Sequence, residues 1–552
     1  MVQKRASDGD GGAAPARAET GAALEAALDQ LKPFGLYQRY VVILLCIPNL
    51  FAAMYSMNYV FVAELVPFRC VIPECEGWPS QDQFSNETVW ALLPNSTCER
   101  YQPLNNNTID SCHPKDYRVV TQECEDILYE NDNTVFSEFG LGCRPWLRTL
   151  VGSVRNAALP LALLLTGYVS DLWGRRTAFC IFSGCAGALG IVKALSYNYN
   201  MYISMEFFEA MLGYGFNSAG YVMVVELARP QVRAAFACAT GVAYGLGGVL
   251  FALAAWGLPH WRHLLVTIHA PALLLPLYWM LLDESPRWLL ARGRGEELTV
   301  VLKKMARVNK VVLNEDLIKP LESNNAQEAS KTDGNPWLRL VKSRVLVGRF
   351  ALCGWCWAAC SFVYYGLSIN SVSLAGQRHV NFALNMAMEI VASLLLMMLL
   401  ERLGRKRTVF FSFLLCGVAC VVPFFITHSG TGLGLFFMGK LAITCAFNSL
   451  YVFTAELFPT HARSSALAAT SLVGRAGSIL APQTPLLSGY VQAMLYGGCS
   501  LSAALLVLLV PETRRAVLPQ SVAAAEQLRE PEAALPAPPP PPPARVVLSA
   551  DM

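Results

Sequence analysis

The stretch Gly167-Tyr168-Val169-Ser170-Asp171-Leu172-Trp173-Gly174-Arg175-Arg176 ends a long apolar run with one carboxylate and two cations. A related stretch, Glu401-Arg402-Leu403-Gly404-Arg405-Lys406-Arg407, ends a second apolar run. The carboxylates Asp171 and Glu401 lie 230 positions apart, and so do the glycines that follow each of them three residues later. The repetition indicates that the chain contains the same unit twice.

A second pair of landmarks keeps this offset. Glu226 and Glu456 are 230 positions apart, and Arg233 and Arg463 are separated by the same number. Both pairs flank apolar segments. Repeats of this length are typical of carriers built from two bundles of membrane helices, so the sequence predicts two homologous halves.

Composition places the chain in a bilayer. Hydrophobic residues make up 54% of the chain, charged residues make up 15%, and the mean hydropathy is +0.38. Soluble domains carry roughly a quarter charged residues. A spanning helix needs about 20 apolar residues, and helices satisfy their own backbone hydrogen bonds in lipid. We therefore predict an all-α membrane protein with lipid as its solvent and twelve spans, at residues 39–62, 146–170, 177–195, 201–225, 234–256, 264–282, 346–368, 379–400, 407–427, 433–455, 464–487 and 493–511.

The spans divide the chain into regions. Two six-helix bundles, residues 39–282 and 346–511, are joined by a linker at 283–345, with an N-terminal segment at 1–38 and a tail at 512–552. Lysine and arginine are concentrated in the linker and in the turns after spans 2, 4, 8 and 10. Basic segments face the cytoplasm. The prediction is a multi-pass plasma-membrane protein with both termini in the cytoplasm.

That orientation places residues 63–145 outside the cell. The loop carries three glycosylation sequons, at Asn86, Asn95 and Asn106, and six cysteines. Both features are typical of an oxidising compartment. Six cysteines allow 15 pairings, so the connectivity stays open; the disulfide candidates are Cys70, Cys75, Cys98, Cys112, Cys124 and Cys143.

The tail contains a proline run, Pro538 to Pro543, which favours extended polyproline II. Such a run fits an SH3-type partner. Composition alone specifies no partner, so a solvated tail is the simpler interpretation.

The repeated turn motifs predict ion pairs at helix ends. We expect Gly167 to permit close helix contact, and we expect Arg175 and Arg176 to reach Glu226, with Arg233 nearby. Ion pairs at such a seam can hold one arrangement of the bundles and release in the other. The predicted cytoplasmic gate comprises Asp171, Arg175, Arg176, Glu226 and Arg233 in the first half and Glu401, Arg405, Glu456 and Arg463 in the second.

The chain resembles the organic cation, carnitine and organic anion transporter family of the major facilitator superfamily. The motifs that carry the resemblance extend over about residues 25–515 and include the large outer loop, the block Asp283-Glu284-Ser285-Pro286-Arg287-Trp288-Leu289 and the block Ala455-Glu456-Leu457-Phe458-Pro459-Thr460. The resemblance implies the twelve-helix major facilitator fold and a central site between the two bundles for a small organic ion.

Charges within the spans are candidates for function, because each costs several kcal/mol unless it is paired or hydrated. The strongest candidate is Arg475, which lies among small residues close to a proline. In the resembling family a basic residue here accompanies anion and zwitterion carriers. Glu389 is the opposing charge, and Lys440 and Gln483 are further candidates for substrate contact.

Two positions depart from the family pattern. Glu206 replaces a usual basic residue, with Glu209 one turn later, and Arg155 replaces a usual neutral residue. Two alternatives stay open. Glu206 pairs with Arg155 and leaves Arg475 for a carboxylate, or Glu206 and Glu389 attract an amine.

Aromatic residues of the seventh span form a further candidate, because an ammonium group over such rings gains about 0.5–2 kcal/mol. Tyr364 and Tyr365 are the favoured contacts. Trp355, Trp357 and Phe362 are weaker candidates, since packing is the commoner role of an aromatic residue in a span.

The predicted function is secondary transport of a small organic ion, either cation, zwitterion or anion, by alternating access. A co-transported or exchanged ion stays possible, and the sequence does not specify it. No enzyme motif, metal site or cofactor motif is found, and no nucleic-acid partner is expected. The alternative is a transport-inactive receptor that binds a partner through its outer loop.

Overall fold

The structure is a computed structural model. It describes residues 13–32, 35–76, 84–94, 97–104, 113–227, 232–322, 342–425, 429–459, 463–514, 519 and 522–527. Asn95, Asn106, Cys112 and the proline run 538–543 lie outside the described residues.

Twelve helical segments correspond to the predicted spans, numbered here in chain order. Spans 1–6 are Leu36–Met57 with Tyr59–Val62, Pro145–Trp173, Arg175–Ala194, Tyr199–Gly213 with Gly215–Leu227, Arg233–Gly257, and Trp261–His269 continued by Ala270–Leu277 and Tyr278–Leu281. Spans 7–12 are Arg344–Asn370, Arg378–Arg402, Arg405–Val421, Ser429–Leu457, Arg463–Leu480 and Gly489–Val507. Short 3₁₀ turns extend spans 7, 9 and 11 at Ser371–Ser373, Val422–Phe425 and Ala481–Leu486.

Nine of these helices, within the described ranges, are long and apolar enough to cross a membrane on length and composition alone. The other three are spans 4, 9 and 11. Span 4 carries Glu206 and Glu209, span 9 is α-helical over 17 residues, and span 11 carries Arg475 within its 18 residues. The exceptions are therefore a short helix and two helices that carry charged residues.

The two halves meet along two seams. Span 5 packs along span 8, and span 2 packs against span 11. Under the 230-residue offset, span 2 corresponds to span 8 and span 5 corresponds to span 11. The seam between spans 2 and 11 is therefore the counterpart of the seam between spans 5 and 8. We call the side with the cysteine-rich loop the loop face and the side with Arg175 and Arg405 the basic face.

Close packing inside each half follows the same repeat. A Cβ at Gly247 of span 5 would lie 2.1 Å from the Leu50 carbonyl oxygen in span 1, and a Cβ at Gly477 of span 11 would lie 2.1 Å from the Ala358 carbonyl oxygen in span 7. These two glycines are again 230 positions apart. By contrast, a Cβ at Gly167 would meet no described atom within 4 Å, so the expected helix contact there is wrong.

The loop between spans 1 and 2 forms a small ordered unit. Strand β1 (Phe68–Cys70) pairs antiparallel with β4 (Ile127–Tyr129), and β2 (Glu99–Pro103) pairs antiparallel with β3 (Tyr117–Glu123). Short helices cover Pro73–Glu76, Glu87–Trp90, Pro114–Asp116 and Val135–Glu138. Arg69 is fully buried at the centre of this unit, where it binds Glu76 at 2.5 Å.

Disulfides join this unit. The pairs are Cys70–Cys124 and Cys98–Cys143, and Cys75 is also disulfide-bonded. The cysteines in or beside the described spans are free. Asn86 is exposed at the start of a short helix, where a glycan has room; its glycosylation stays a prediction.

Helices outside the bilayer cover the basic face of the first half. They are Ala13–Gln30, Pro286–Ala291, Gly295–Asn309 and Glu315–Glu322. The N-terminal helix packs on Glu315–Glu322, and Glu25 pairs with Arg287 at 3.0 Å. Asn309 binds Gln38 and the Tyr37 backbone at the start of span 1, each at 2.9 Å. A further short helix, Val522–Glu526, packs on span 7.

Candidate substrate site and gates

Arg475 lies at the centre of the molecule between the halves. Only 9% of the residue is exposed, and its guanidinium lies close to the phenol groups of Tyr214, Tyr365 and Tyr451. Its Cζ atom is 5.9 Å from the centroid of the Tyr214 ring, which belongs to the first half. Within the described part of the chain no carboxylate lies within 4 Å of Arg475. Its positive charge is therefore surrounded by neutral hydroxyls.

Arg155 of span 2 is part of a buried charge cluster in the first half. It binds Glu206 at 2.8 Å and also binds Glu209. Lys193 of span 3 lies 2.9 Å from Glu206 and 3.1 Å from Glu209. These four side chains, each at most 4% exposed, carry two positive and two negative charges. The geometry matches the alternative in which Glu206 pairs with Arg155.

His269 of span 6 completes this cluster. Its Nε2 atom is 3.8 Å from Glu209, its Nδ1 atom is 2.9 Å from the Leu265 carbonyl oxygen, and its ring stacks on Tyr55 of span 1. Spans 1, 2, 3, 4 and 6 all contribute side chains. The cluster therefore ties five spans of one half together.

Glu389 of span 8 pairs with Lys440 of span 10 at 2.7 Å. Thr444 also donates to Glu389 at 3.2 Å, and Lys440 binds Ser368 at 2.8 Å. The ammonium group of Lys440 lies 3.4 Å from the centroid of the Tyr364 ring. Glu389 thus faces Lys440 rather than Arg475, and this pair is electrically neutral.

The buried charge cluster of the first half and the Glu389–Lys440 pair of the second half lie at similar positions in the repeat, but the signs of their charges are exchanged. Lys440 lies 231 positions after Glu209, and Glu389 lies 234 positions after Arg155. In the first half Arg155 is on span 2, the acids are on span 4 and a second cation, Lys193, is on span 3. In the second half the acid is on span 8 and the cation is on span 10. Both halves use an ion pair to join the same two related spans.

The aromatic residues of span 7 do not form one continuous surface. Trp355 donates to Ser502 at 3.1 Å, Trp357 donates to Thr454 at 3.1 Å, and Phe362 packs on Tyr496. These side chains face other spans of the same half. Tyr364 and Tyr365 lie edge to face with their centroids 5.2 Å apart, and Tyr365 also contacts Arg475.

Gln483 lies at the loop-face end of span 11, in the seam with span 2. It binds Thr149 at 2.9 Å and Ser153 at 2.8 Å, and Ser153 donates to the Ile479 carbonyl oxygen at 2.8 Å. The predicted contact residue therefore joins the two halves at the loop face, away from the Arg475 guanidinium.

The motif on the basic face of the first half forms a network. Arg175 donates to Asp171 at 3.0 Å and to both oxygens of Glu226 at 3.0–3.2 Å. Gly174 turns the chain with φ +100°, a value that glycine adopts readily. Arg176 stacks over Trp279 at 4.1 Å. The network joins spans 2, 3 and 4 to the end of span 6.

The second half repeats this network with fewer contacts. Arg405 donates to Glu456 at 3.3 Å, and Gly404 turns the chain with φ +93°. Glu401 is exposed and has no ion pair within the described ranges, whereas its counterpart Asp171 binds Arg175. In both halves the arginine and its glutamate belong to the same half.

Two further arginines of the predicted gate each begin a span. Arg463 begins span 11, and its Nε and Nη2 atoms are buried without a hydrogen-bond partner among the described atoms. Arg233 begins span 5, and its side chain lies outside the described residues.

Sequence reasoning missed two carboxylates on the basic face. Glu284 accepts backbone N–H groups of Arg175 at 2.8 Å and Arg176 at 3.2 Å, at the start of span 3. Glu512 accepts those of Arg405 at 3.0 Å and Lys406 at 3.3 Å, at the start of span 9. A carboxylate satisfies the free N–H groups at a helix N-terminus.

The sequence contained a signal for both, because Glu284 and Glu512 each follow closely on the last predicted span of a half and are 228 positions apart. Burial raises the pKa of Glu284, and the backbone N–H groups partly counteract this. The residues Lys193 and His269 were also missed, because each is a single polar residue inside an apolar run.

Known proteins resemble the chain along most of its length. The sugar (and other) transporter family matches residues 145–520. An organic cation transporter protein of Drosophila melanogaster is 28% identical over 90% of this chain and 93% of its own length. Solute carrier family 22 member 7 of Bos taurus is 31% identical over 92% of this chain and 97% of its own length.

A solved structure supports the fold. The xylose transporter XylE from E. coli, in a partially occluded inward open conformation, covers 87% of this chain and is covered completely, with a TM-score of 0.58 and 16% identity. These comparisons confirm the predicted all-α major facilitator fold. The chain is a multi-pass membrane transporter rather than an enzyme, and it belongs to the organic cation, carnitine and organic anion transporter family of the major facilitator superfamily.

Proposed function

We propose that the chain carries small organic ions with a carboxylate group, either anions or zwitterions, across the plasma membrane. The observation that carries this proposal is the charge of Arg475, which lies at the centre of the molecule and has no anionic partner among the described residues. An unpaired buried cation is costly in a membrane interior. A substrate carboxylate would supply the missing negative charge.

The other embedded charges support this assignment, because they are already neutralised. Arg155 and Lys193 balance Glu206 and Glu209, and Lys440 balances Glu389. Glu206, Glu389 and Lys440 would therefore act as structural ion pairs. An organic cation would find no free carboxylate near Arg475 among the residues that the structure describes.

Relatives are consistent with a carboxylate-bearing substrate. A beta-alanine transporter of Drosophila melanogaster is 29% identical over 90% of this chain, and organic cation/carnitine transporter 2 of Rattus norvegicus is 28% identical over 89% of it. Both named substrates, β-alanine and carnitine, combine a carboxylate with a cationic nitrogen. Other relatives are named for organic cations, so the assignment to this chain rests on Arg475.

Alternating access is the proposed mechanism. The loop face is closed by the Gln483 contacts and by an ion pair between Glu64 and Arg378 at 2.8 Å. On the basic face, Arg175 and Arg405 each bind a carboxylate of their own half, so these networks would stiffen each half as it rotates. Disulfides and sequons support an extracellular loop face, and in this proposed orientation both termini would lie in the cytoplasm.

The test is uptake by cells that express the chain, normalised to surface expression. Labelled β-alanine, carnitine, an aromatic carboxylate and tetraethylammonium form the panel. We expect uptake of one or more carboxylates and none of tetraethylammonium. Arg475→Gln should reduce carboxylate uptake by about tenfold or more, since a buried charge partner contributes at least about 1.4 kcal/mol, and Arg475→Lys should retain part of it.

Arg407→Gln is the matched control, because it removes an exposed arginine and should leave uptake unchanged. Tetraethylammonium uptake, or carboxylate uptake that is insensitive to Arg475→Gln, would contradict the proposed substrate class. Surface expression without uptake of any compound would favour the transport-inactive receptor.

A further inference from the structure

Two asparagines, one in each half, are buried without hydrogen bonds. Asn58 lies between the two helices of span 1, Asn385 lies in span 8, and both residues are 0% exposed. Neither the oxygen nor the nitrogen of either side-chain amide has a hydrogen-bond partner among the described atoms. Leaving a buried amide without hydrogen bonds destabilises a protein. Both side chains therefore indicate a partner that the described part of the chain does not provide.

An aromatic contact places the two asparagines at the same level. The ring centroids of Phe61 in span 1 and Phe382 in span 8 are 5.1 Å apart. Asn58 precedes Phe61 by three residues and keeps helical backbone angles, while Asn385 follows Phe382 by three residues. Residues three apart share a helix face. Because span 1 runs toward the loop face and span 8 runs away from it, both amides lie one turn to the inner side of this contact.

Aromatic rings close the loop-face side of this position. Phe251 of span 5 packs on Phe61 and on Phe382, with centroids 5.5 Å and 6.0 Å apart. His379 stacks on Phe61 with centroids 5.1 Å apart. These rings lie between the amides and the loop face, so a ligand reaches the amides from the centre of the molecule.

Tyrosines connect this position to Arg475. Tyr59, which directly follows Asn58, interacts electrostatically through its hydroxyl with Tyr365. Tyr365 in turn lies beside the Arg475 guanidinium. The amides and the guanidinium therefore border the same central region, with the amides on its loop-face side.

The chemistry of the two amides favours a neutral partner. Glu389, one turn after Asn385, is already paired with Lys440 at 2.7 Å. An asparagine amide offers both a C=O acceptor and N–H donors. A carboxylate only accepts hydrogen bonds and an ammonium group only donates them, whereas a trans secondary amide does both, on opposite sides of one planar group. Since Asn58 and Asn385 belong to opposite halves, one such amide can meet both.

We propose that Asn58 and Asn385 are specificity-determining residues that select carboxylate substrates carrying a secondary amide. The substrate carboxylate binds Arg475, while the amide N–H donates to one asparagine and the amide oxygen accepts from the other. This inference rests on the proposed function, because Arg475 supplies the carboxylate site. The amide adds a second recognition point, to which both halves contribute.

The experiment measures Kd by isothermal titration calorimetry with the purified full chain in detergent. The probes are N-acetylglycine, N-acetyl-β-alanine and N-acetyl-4-aminobutyrate, each compared with the alkanoate of equal chain length: pentanoate, hexanoate or heptanoate. Within a pair only the amide differs, and the series varies its distance from the carboxylate. We expect at least one amide to bind about tenfold more tightly than its alkanoate, the effect of about 1.4 kcal/mol.

Asn58→Leu and Asn385→Leu should each remove most of this preference and leave the Kd of the alkanoate unchanged. Both variants should melt no lower than wild type, because neither amide makes a hydrogen bond with the described atoms. Asn381→Leu is the matched control, one turn before Asn385 on span 8. Its amide already donates to the carbonyl oxygens of Leu374 and Ala375, each at 3.2 Å, so this variant should melt lower and keep the preference.

Arg475→Gln separates this inference from the proposed function, because it should weaken binding of an amide and its alkanoate equally. If Arg475→Gln changes neither Kd while both asparagine variants abolish the preference, the proposed function fails and the amide selection stands. Equal Kd values within every pair would overturn the inference alone. So would a preference that survives both leucine substitutions. Absence of saturable binding by all six compounds would overturn both.

Discussion

Arg155 illustrates what single residues reveal in this chain. A cation in the middle of an apolar run signals a buried partner, and Glu206 and Glu209 signal the same need. Their pairing could be proposed from sequence because all three stand out within their spans. Lys193 could not be placed with them, because nothing in a linear sequence shows that its helix face turns toward span 4.

The first prediction concerns the stability of this cluster. Arg155→Met should lower the free energy of unfolding by about 3–5 kcal/mol, because it leaves buried carboxylates with too little positive charge. Thermal unfolding of the purified chain would measure the loss. The double variant Arg155→Met/Glu209→Gln should recover part of it, since it removes one of those carboxylates.

Arg144→Met serves as the control, because this arginine is exposed at the N-terminal end of the same span. Equal melting temperatures for wild type and Arg155→Met would show that the cluster contributes little to stability. A double variant no more stable than the single one would show that Glu209 does not share the charge balance.

The partners of Glu389 and Gln483 could not be predicted from the sequence either. The sequence marks both as polar positions within spans, which is enough to select them as candidates. Which partner each one meets depends on helix rotation and tilt. The structure directs Glu389 to Lys440 and Gln483 to Thr149, and neither distance could be read from spacing along the chain.

At the level of helices, apolar run length located the spans well because the bilayer fixes the length of a helix. Span 3, expected at 177–195, is Arg175–Ala194. The inner structure of the spans was not foreseen. Span 6 contains a 3₁₀ stretch, Ala270–Leu277, that includes Pro271 and Pro276. Both prolines are present in the sequence, and they explain this stretch because proline provides no N–H group for an α-helical hydrogen bond.

The second prediction concerns the two glycines at which helices cross closely. Gly247→Ala and Gly477→Ala should each destabilise the protein by about 1–3 kcal/mol, because the added methyl group meets a backbone carbonyl that cannot rotate away. Gly167→Ala and Gly498→Ala are controls from the same helical context, with no described atom within 4 Å of the added carbon. Melting temperatures of the four variants would measure the difference.

Both controls should match wild type or exceed it, because alanine favours a helix over glycine. The crossing variants should resemble each other, since the repeat gives them the same packing. A stable Gly477→Ala beside an unstable Gly247→Ala would show that the two halves pack differently at this level.

For the whole molecule, the 230-residue repeat was the most informative signal in the sequence. It predicted two halves from a few charged turns, and the spacing of Gly247 and Gly477 extends it into the packing. How the two halves pack against each other could not be predicted from the sequence, because their packing depends on contacts such as Thr149–Gln483 and Glu64–Arg378 that join distant parts of the chain. These contacts close the loop face.

The central claim is that the halves must separate at the loop face for each transport cycle. The most direct measurement is uptake of a carboxylate substrate by Ser153→Cys/Gln483→Cys after treatment with a short reducible bifunctional thiol reagent. Cross-linking should stop uptake, and reduction should restore it, while each single cysteine variant should continue to transport. Undiminished uptake by the cross-linked protein would contradict alternating access through this seam.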